Sequence, residues 1–241
     1  MHGQISTYIS NIRTWLVVVM LALSGQNAVA DTTYDIPVDS LEWFQGASVS
    51  YDLVGLGLLM FSDYGHHELS LRINLKDRYF PVLEAGIGKA EHDDDITGIH
   101  YDTSAPYFRI GCDLNMMKQK HSDHKVFLGL RYAYTSFKAN ISCPQLTDPV
   151  WASPANYDVK DSKCNQHWAE LVFGVDTKVW GPVRLGWSAR YKLRLAKNEG
   201  ETGKVWYVPG FGTSNNSRIT ATFNLGLQLD RDLWKKVFGK R

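Results

Sequence analysis

Eight segments of the sequence alternate between apolar and polar residues, and this alternation constrains the fold more than any other feature. In residues 68–75, Leu69 and Leu71 fall on one side of an extended chain, while Glu68 and Arg72 fall on the other. Residues i and i+2 of a strand share a face, so each segment predicts a strand with one apolar and one polar face. The eight segments are residues 45–53, 68–75, 79–89, 107–115, 126–137, 167–179, 183–195 and 217–229.

The lengths of the segments and of the gaps between them indicate a barrel that crosses a membrane. A tilted membrane strand needs about 9–11 residues, which is close to the length of each segment, and no helical repeat separates them. The gaps alternate between long and short, and residues 76–78 and 180–182 form the tightest turns. Outer-membrane barrels have short periplasmic turns and longer outer loops. We therefore predict an all-β fold, an eight-stranded antiparallel up-and-down transmembrane β-barrel with both termini in the periplasm.

The polar faces carry charges of both signs, whereas the apolar faces consist mainly of Leu, Ile, Val and Phe. An apolar face of this kind suits contact with lipid, which leaves the polar faces to line a closed lumen filled with side chains. Unpaired buried charge is costly, so acids and arginines are expected to pair there. The predicted lumen ion pairs involve Glu68, Arg72, Glu84, Arg109, Asp113, Arg131, Glu170, Asp176, Arg184, Arg190 and Arg218.

Aromatic residues near the strand ends support the membrane interpretation, because Tyr and Trp favour the two membrane interfaces. The alternative is a soluble lipocalin-like carrier, which has the same alternation but turns its apolar face inward around a ligand. The residues expected in the aromatic girdles are Tyr79, Tyr132, Tyr134, Trp168, Trp180, Trp187, Tyr191 and Trp206.

The beginning of the chain has the features of a secretory signal. Arg13 precedes an apolar run over residues 15–23, and Ala28 and Ala30 occupy the positions that signal peptidase reads. We predict a signal peptide (1–30), a periplasmic lead (31–42), an outer-membrane barrel (43–229) and a periplasmic tail (230–241). Without the signal the net charge is near zero, which gives no support for nucleic acid as a partner.

The cysteines suggest a disulfide rather than a metal site. Cys143 and Cys164 lie in one long polar segment of an exported chain, so a disulfide between them is expected. Their spacing to His167 fits no zinc pattern. We therefore predict neither a metal site nor a cofactor.

Two further features bear on function. His100, His121, His124 and His167 are available for catalysis, but no nucleophile elbow G-x-S-x-G accompanies them, so no enzymatic activity is predicted. A lipid-modifying enzyme of the outer membrane stays open as an alternative. The aromatic segment 206–212 either forms a partner surface or folds over the barrel mouth, and its residues Trp206, Tyr207 and Phe211 are the candidates for partner contact.

Four short motifs give the chain a family resemblance: NLKDRYFP (74–81), APYFRIGCD (105–113), DPVW (148–151) and WYVPG (206–210). With them, residues 40–229 resemble an uncharacterised outer-membrane β-barrel family of Bacteroides-type bacteria, known as a domain of unknown function. The resemblance implies an outer-membrane location and a barrel fold, and it transfers no catalytic residue. We expect a structural or interaction subunit of an outer-membrane complex, in contact with outer-membrane lipid and with other outer-membrane proteins such as assembly machinery.

Overall fold

The computed structural model of the chain describes residues 42–94, 98–147, 154–200, 205–213 and 218–230, which are the described residues in all that follows. The predicted signal peptide, nearly all of the lead, and the tail after Asp230 lie outside them. The elements are β1 (Phe44–Asp52), α1 (Leu53–Phe61), β2 (Tyr64–Leu75), β3 (Tyr79–Asp94), β4 (Ile99–Asn115), β5 (His124–Thr147), β6 (Pro154–Trp180), β7 (Val183–Asn198), β8 (Tyr207–Val208), β9 (Gly212–Thr213) and β10 (Ile219–Asp230).

Eight of these strands form one closed antiparallel barrel. Each strand pairs with its neighbour along the chain, and β1 closes the ring by pairing with β10, so the order around the barrel is β1-β10-β7-β6-β5-β4-β3-β2. The short strands β8 and β9 form a separate two-stranded sheet. The predicted eight-stranded up-and-down barrel is therefore confirmed.

The two faces of the barrel are sorted as the alternation predicts. On β2, Leu69 is 54% exposed on the outside, whereas Glu68 is 2% exposed on the inside. On β5, Leu130 is 67% exposed and Arg131 is 4% exposed. An exterior of leucines around an interior of charges is the arrangement of a barrel that faces lipid, and it excludes the soluble carrier, which would need the opposite arrangement.

The barrel has a turn end and a loop end. At the turn end lie the short connections 76–78, 116–123 and 181–182, together with the first residues of β1 and the last residues of β10. Lys76 and Asp77 both have positive φ, as in the two-residue hairpin turns that match the twist of paired strands. At the loop end lie α1 and the connections β3–β4, β5–β6 and β7–β10.

Two of the expected long loops, those after β3 and after β5, are largely extended hairpins in the described residues. β5 has 24 residues and β6 has 27, and they stay paired from His124↔Thr177 to Thr147↔Pro154 with two register shifts. The sequence pattern left residues 138–166 between two strands as a loop, and for the described residues 138–147 and 154–166 this interpretation was wrong. Their sequence lacks the apolar alternation that marked the other strands. A two-stranded ladder needs only backbone pairing, which polar residues also supply.

The helix α1 was not predicted. Asp52 caps its start by accepting hydrogen bonds from the backbone N–H groups of Val54 (3.1 Å) and Gly55 (3.0 Å). At its other end, the backbone N–H of Ser62 donates to the Leu58 carbonyl. Within the described part of the chain, no helix is both long and apolar enough to cross a membrane.

Candidate functional site

Six inward positions converge in the middle of the lumen, one from each of the strands β2–β7. Because every second residue of a strand points inward, the barrel brings these side chains together from six separate stretches of sequence. Each of the six residues is at most 4% exposed. We call this group the upper cluster, and it consists of Glu68, Glu84, Arg109, Arg131, Glu170 and Arg190.

The upper cluster is a lattice of shared carboxylates rather than a set of separate pairs. Arg190 Nη2 lies 3.0 Å from Glu68 Oε1, and its Nη1 lies 3.0 Å from Glu84 Oε2. Arg109 contacts Glu68 through Nη1 and lies 3.0 Å from Glu170 Oε1 through Nε. Each guanidinium therefore holds carboxylates on strands from different sides of the barrel, which suits its forked geometry.

A second group, the lower cluster, lies closer to the turn end and consists of Arg72, Asp113, Asp176 and Arg184. Arg72 bridges Asp113 (3.0 Å) and Asp176 (3.1 Å), and Arg184 Nε lies 2.7 Å from Asp176. Arg131 joins the two clusters, because its Nη2 lies 3.1 Å from Asp113. Together the clusters contain five carboxylates and five guanidinium groups, so the charges of the two clusters balance.

Asp77 organises the turn end. Its carboxylate accepts hydrogen bonds from Lys125 Nζ (2.8 Å) and Asn74 Nδ2 (2.6 Å), and its Oδ2 lies 2.7 Å from His121 Nδ1. Burial raises the pKa of this carboxyl, but the charge and hydrogen bond of Lys125, together with the other bonds, outweigh burial and lower the pKa below its usual range. The turn therefore carries a carboxylate held ionised by its neighbours.

Residues 205–213, which include β8 and β9, fold into the barrel mouth at the loop end, and we call them the plug. Val205, Tyr207, Val208 and Phe211 are all at most 3% exposed. They pack with inward side chains of β3–β6 into a buried apolar layer above the upper cluster. Phe211, for example, meets the Trp168 ring edge-on at 5.7 Å between centroids.

Two lumen cations hold the plug by its backbone. Arg109 Nη2 donates to the Gly210 carbonyl (2.7 Å), and Lys192 Nζ donates to the carbonyls of Phe211 (2.8 Å) and Gly210 (3.1 Å). Gly210 has φ +78°, and a Cβ there would lie 2.5 Å from the Tyr107 ring. Only glycine combines this backbone conformation with so close an approach.

Aromatic rings fix the outer part of the plug. Trp206 stacks on His92 with 4.4 Å between ring centroids and an angle of 5°. Tyr64 and Tyr101 meet the same indole edge-on, and the Tyr101 hydroxyl donates to the Tyr207 carbonyl (2.7 Å). The mouth is thus filled with ring contacts.

Of the two alternatives for this segment, these contacts show the fold over the barrel mouth and correct the prediction of a partner surface. Tyr207 and Phe211 lie inside the mouth, and Trp206 is half-buried, so the segment is a plug and not an exposed patch. Trp168, expected in a membrane girdle, also points inward and donates to Glu170 Oε1 (2.6 Å). Trp168 is three residues from the outward Leu171, so the alternation of β6 places it on the inner face. The prediction of a girdle position did not take this alternation into account.

Ten of the eleven predicted lumen charges lie in the two clusters, and Arg218 does not. Arg218 is exposed in the turn before β10 and forms no ion pair with any described residue. The alternation was extended two residues too far, since β10 begins at Ile219.

The predicted disulfide between Cys143 and Cys164 is absent from the described structure. Cys143 is opposite Tyr157, whereas Cys164 is opposite Phe137, six residues further down the same ladder. At about 3.3 Å per residue this separation is roughly 20 Å, well beyond the about 7 Å that a disulfide spans between Cα atoms. Both cysteines point inward and are buried in the wall of the extended hairpin.

The remaining candidate groups lie apart from one another. His100 contacts Asp93 (2.5 Å), His121 contacts Asp77, and His167 contacts the Tyr132 hydroxyl (2.5 Å). No group of three or more His, Cys, Asp or Glu side chains suited to a metal ion occurs among the described residues.

Sequence reasoning missed several residues that complete the site. Lys192 is on the polar face of β7 but was not assigned to the plug, because nothing in a strand pattern reveals a backbone carbonyl as partner. Tyr107, whose hydroxyl donates to Glu68 (2.6 Å), was likewise missed. Asp52 directly before an apolar run is an N-cap signal that was available in the sequence.

A closed antiparallel barrel with leucines outside, paired charges inside and a plugged mouth defines the class of transmembrane β-barrels. Within this class, the chain belongs to the family described as domain of unknown function DUF6048, whose model matches residues 5–230. The predicted membership in a family of unknown function is thereby confirmed, and the Bacteroides-type origin stays a prediction.

Two solved structures show a remote similarity. Neisserial surface protein A (NspA) is 12% identical over 77% of this chain and 94% of its own, with a TM-score of 0.38. A major outer membrane protein from Thermus thermophilus is 11% identical over 76% of this chain and 100% of its own, with a TM-score of 0.44. No curated protein matches the sequence.

Proposed function

We propose that this protein is a closed, non-conducting barrel of the outer membrane that acts as a structural or interaction subunit of a larger outer-membrane complex. The observation that carries the proposal is the occupied lumen. Five carboxylates and five guanidinium groups fill its middle, and the plug fills its mouth. With the interior occupied, the surfaces available for function are the outer wall and the loop end.

The extended hairpin β5–β6 is the surface that we assign to a partner protein. β5 and β6 are far longer than the about 9–11 residues that cross a membrane, so their loop-end halves stand clear of the lipid. In the described part of this hairpin, charged side chains point outward, as in the exposed pairs Lys138–Asp161 (2.8 Å) and Lys160–Asp158 (2.8 Å). A rigid paired hairpin loses less conformational entropy on binding than a loose loop does, which favours a role in association.

The proposed orientation places the turn end in the periplasm and the loop end outside the cell. The short turns lie at the same end as the beginning of β1 and the end of β10, as in outer-membrane barrels. Export through the signal peptide 1–30 is part of the same proposal, as is the absence of a catalytic role. Labelling a cysteine introduced at Ser142 with a membrane-impermeant reagent on intact cells tests the orientation.

The test of the interaction role is chemical cross-linking in native membranes, followed by purification of the tagged barrel. We expect a defined outer-membrane protein to co-purify with the wild type. It should be lost when residues 140–161 are replaced by an Asn-Gly turn, which joins Ala139 to Ser162 where the two strands are already paired. A matched control replaces the exposed Lys89 and Glu91 on β3 with Ser and should keep the partner. Loss of the partner in both variants, or in neither, would contradict the assignment of the hairpin.

A further inference from the structure

The barrel wall has a gap at the loop end of β1. The last residue of β1, Asp52, pairs with Asn224 of β10, while β10 continues toward the loop end to Ile219. On the other side Tyr51 pairs with Leu69 of β2, which continues to Tyr64. Both neighbours therefore extend five residues beyond their last pairing with β1. We call the space between these two edges the seam.

The helix α1 closes the seam. It begins directly after Asp52 and contacts both β2 and β10. A Cβ at Gly55 would lie 2.6 Å from the His66 ring, and one at Gly65 would overlap the backbone of Leu59, so helix and strand are in backbone contact. Since Gly65 occupies an outward position of β2, Leu59 lies on the outer side of the wall.

Asp52 ties together the three parts that meet at the seam. Besides capping α1, its carboxylate accepts a hydrogen bond from the backbone N–H of Phe223 on β10 (3.3 Å) and lies 3.0 Å from His66 Nε2 on β2. The Phe223 amide lies close to where β1 stops, so Asp52 provides an acceptor at the point where a strand partner ends. The side chain of Asp52 is 1% exposed.

The outer surface of α1 is apolar and uncovered. The sequence of the helix, LVGLGLLMF, contains no charged residue. Met60 is 69% exposed and Phe61 is 88% exposed. Gly57 lies on the same helix face, three and four residues before them, and a Cβ there would meet nothing within 4 Å. The glycine therefore leaves an open notch beside two large apolar side chains.

The seam is continuous with the lipid-facing band of the barrel. On the β10 side, Ile219 is 73% exposed and pairs with Tyr191 of β7, beyond which Leu193 and Leu195 are exposed. On the β2 side, His67 pairs with the exposed Ile87. The helix thus stands beside the β10 edge, whose outward side chains are apolar, whereas on the β2 side the exposed Lys89 is the partner of Gly65. In the ring, α1 lies opposite β5.

We propose that α1 and the seam form a lateral binding site for an acyl chain of a membrane lipid. The hydrocarbon chain lies in the notch at Gly57, between the α1 side chains and the exposed edge of β10. A hydrocarbon chain is the occupant that matches this surface, because α1 carries no charge and, on the β10 side, continues the band that faces the bilayer.

Photo-cross-linking tests the site. The purified full-length protein is reconstituted into phosphatidylethanolamine and phosphatidylglycerol vesicles that contain a phospholipid with a diazirine in its acyl chain. Adducts are mapped by mass spectrometry after illumination. We expect labelling of Met60 and Phe61 to exceed that of the similarly exposed Ile110 and Leu130 by about tenfold, which corresponds to a preference of roughly 1.4 kcal/mol. Equal labelling of both pairs, or no labelling of α1, would overturn the proposal.

A matched pair of variants makes the test independent of side-chain reactivity. Met60→Ser combined with Phe61→Ser should reduce labelling of the seam residue Ile219 to the level of the general band. Ile110→Ser combined with Leu130→Ser, at similarly exposed positions on β4 and β5, should leave Ile219 labelling unchanged. All four side chains are exposed, so both variants are expected to fold, as migration on unheated gels verifies. Unchanged Ile219 labelling in the α1 variant would also overturn the proposal.

Discussion

At the scale of single residues, the lumen is controlled by arginines that each serve several carboxylates. Arg190 is the clearest case, because it contacts Glu68, Glu84 and Glu170 from three strands. Removing one partner from a buried ionic group leaves uncompensated charge, which is far more costly than losing an ion pair at the surface. The stability of the barrel therefore depends strongly on a few inward positions.

Replacing Arg190 with methionine should destabilise the barrel severely. Arg190→Met leaves the three glutamates with fewer cations in the closed interior, and we expect a loss of about 3–5 kcal/mol in the free energy of unfolding. Urea unfolding in lipid vesicles, followed by tryptophan fluorescence, measures the effect. Lys89→Met breaks the exposed pair with Glu91 and should cost at most roughly 1 kcal/mol. Similar losses in both variants would contradict the role given to the upper cluster.

Asp77 should give the barrel a stability component that is lost in acid. Its pKa is lower in the folded protein than in the unfolded chain, so its contribution is fully present above the unfolded pKa and disappears as the pH falls through the folded pKa. Asp77→Asn removes this component, and the advantage of the wild type should shrink on acidification below about pH 4. Asparagine tolerates the positive φ of this turn.

Urea unfolding between about pH 7 and pH 3 checks this expectation, since the range brackets the titration of an ordinary aspartate. The control variant is Asp123→Asn, which alters an exposed carboxylate at the same end of the barrel. Its stability should run parallel to that of the wild type across the range. A constant difference between the wild type and Asp77→Asn at all pH values would show that the turn geometry, and not the charge, is responsible.

At the scale of elements, the strands could be predicted from the sequence and the plug only as one of two alternatives, whereas α1 was missed. Every second residue of a strand lies on its inner face, so Glu84 and Arg131 were assigned correctly to the lumen without any knowledge of their partners. Their pairing with one another depends on how the strands are staggered around the ring, which no local pattern contains. Tyr207 and Phe211 pack against strands that are distant in sequence, and their segment has no periodicity. The nine residues of α1 include two glycines and are too few for a helical repeat.

Lys192 should hold the plug in the mouth. Lys192→Met removes two hydrogen bonds to plug carbonyls but keeps a side chain of similar length. We expect faster amide hydrogen exchange at Phe211, whose N–H is bonded to the Val208 carbonyl (3.0 Å). Hydrogen exchange with mass spectrometry in detergent or nanodiscs measures the change, and Lys197→Met is the control because Lys197 pairs with Glu199, outside the plug. Unchanged exchange at the plug would show that its apolar contacts suffice.

At the scale of the whole molecule, the lumen is closed twice. The plug fills the loop end, and the two ionic clusters cross the middle of the lumen. The ion pairs within the clusters join strand side chains only, and the one direct bond from a cluster to the plug is that of Arg109 to the Gly210 carbonyl among the described residues. Removing the plug should therefore leave the ionic barrier in place.

Conductance across planar lipid bilayers tests this double closure. The wild type should show no ion current, and neither should a variant that lacks residues 205–213, because the clusters still fill the barrel. A variant that combines this deletion with Glu68→Ala, Glu84→Ala and Arg109→Ala should conduct. Current through the variant that lacks only the plug would show that the ionic clusters do not seal the lumen.

The charge balance of the lumen also limits how the barrel can be built. The hairpin β3–β4 contributes two cluster acids and one arginine, and the hairpin β5–β6 does the same. The final pair β7–β10 contributes Arg184, Arg190 and Lys192 and no acid to either cluster. A half-assembled intermediate would present excess carboxylates to hydrocarbon until the last two strands arrive. We therefore expect insertion into the bilayer to coincide with ring closure.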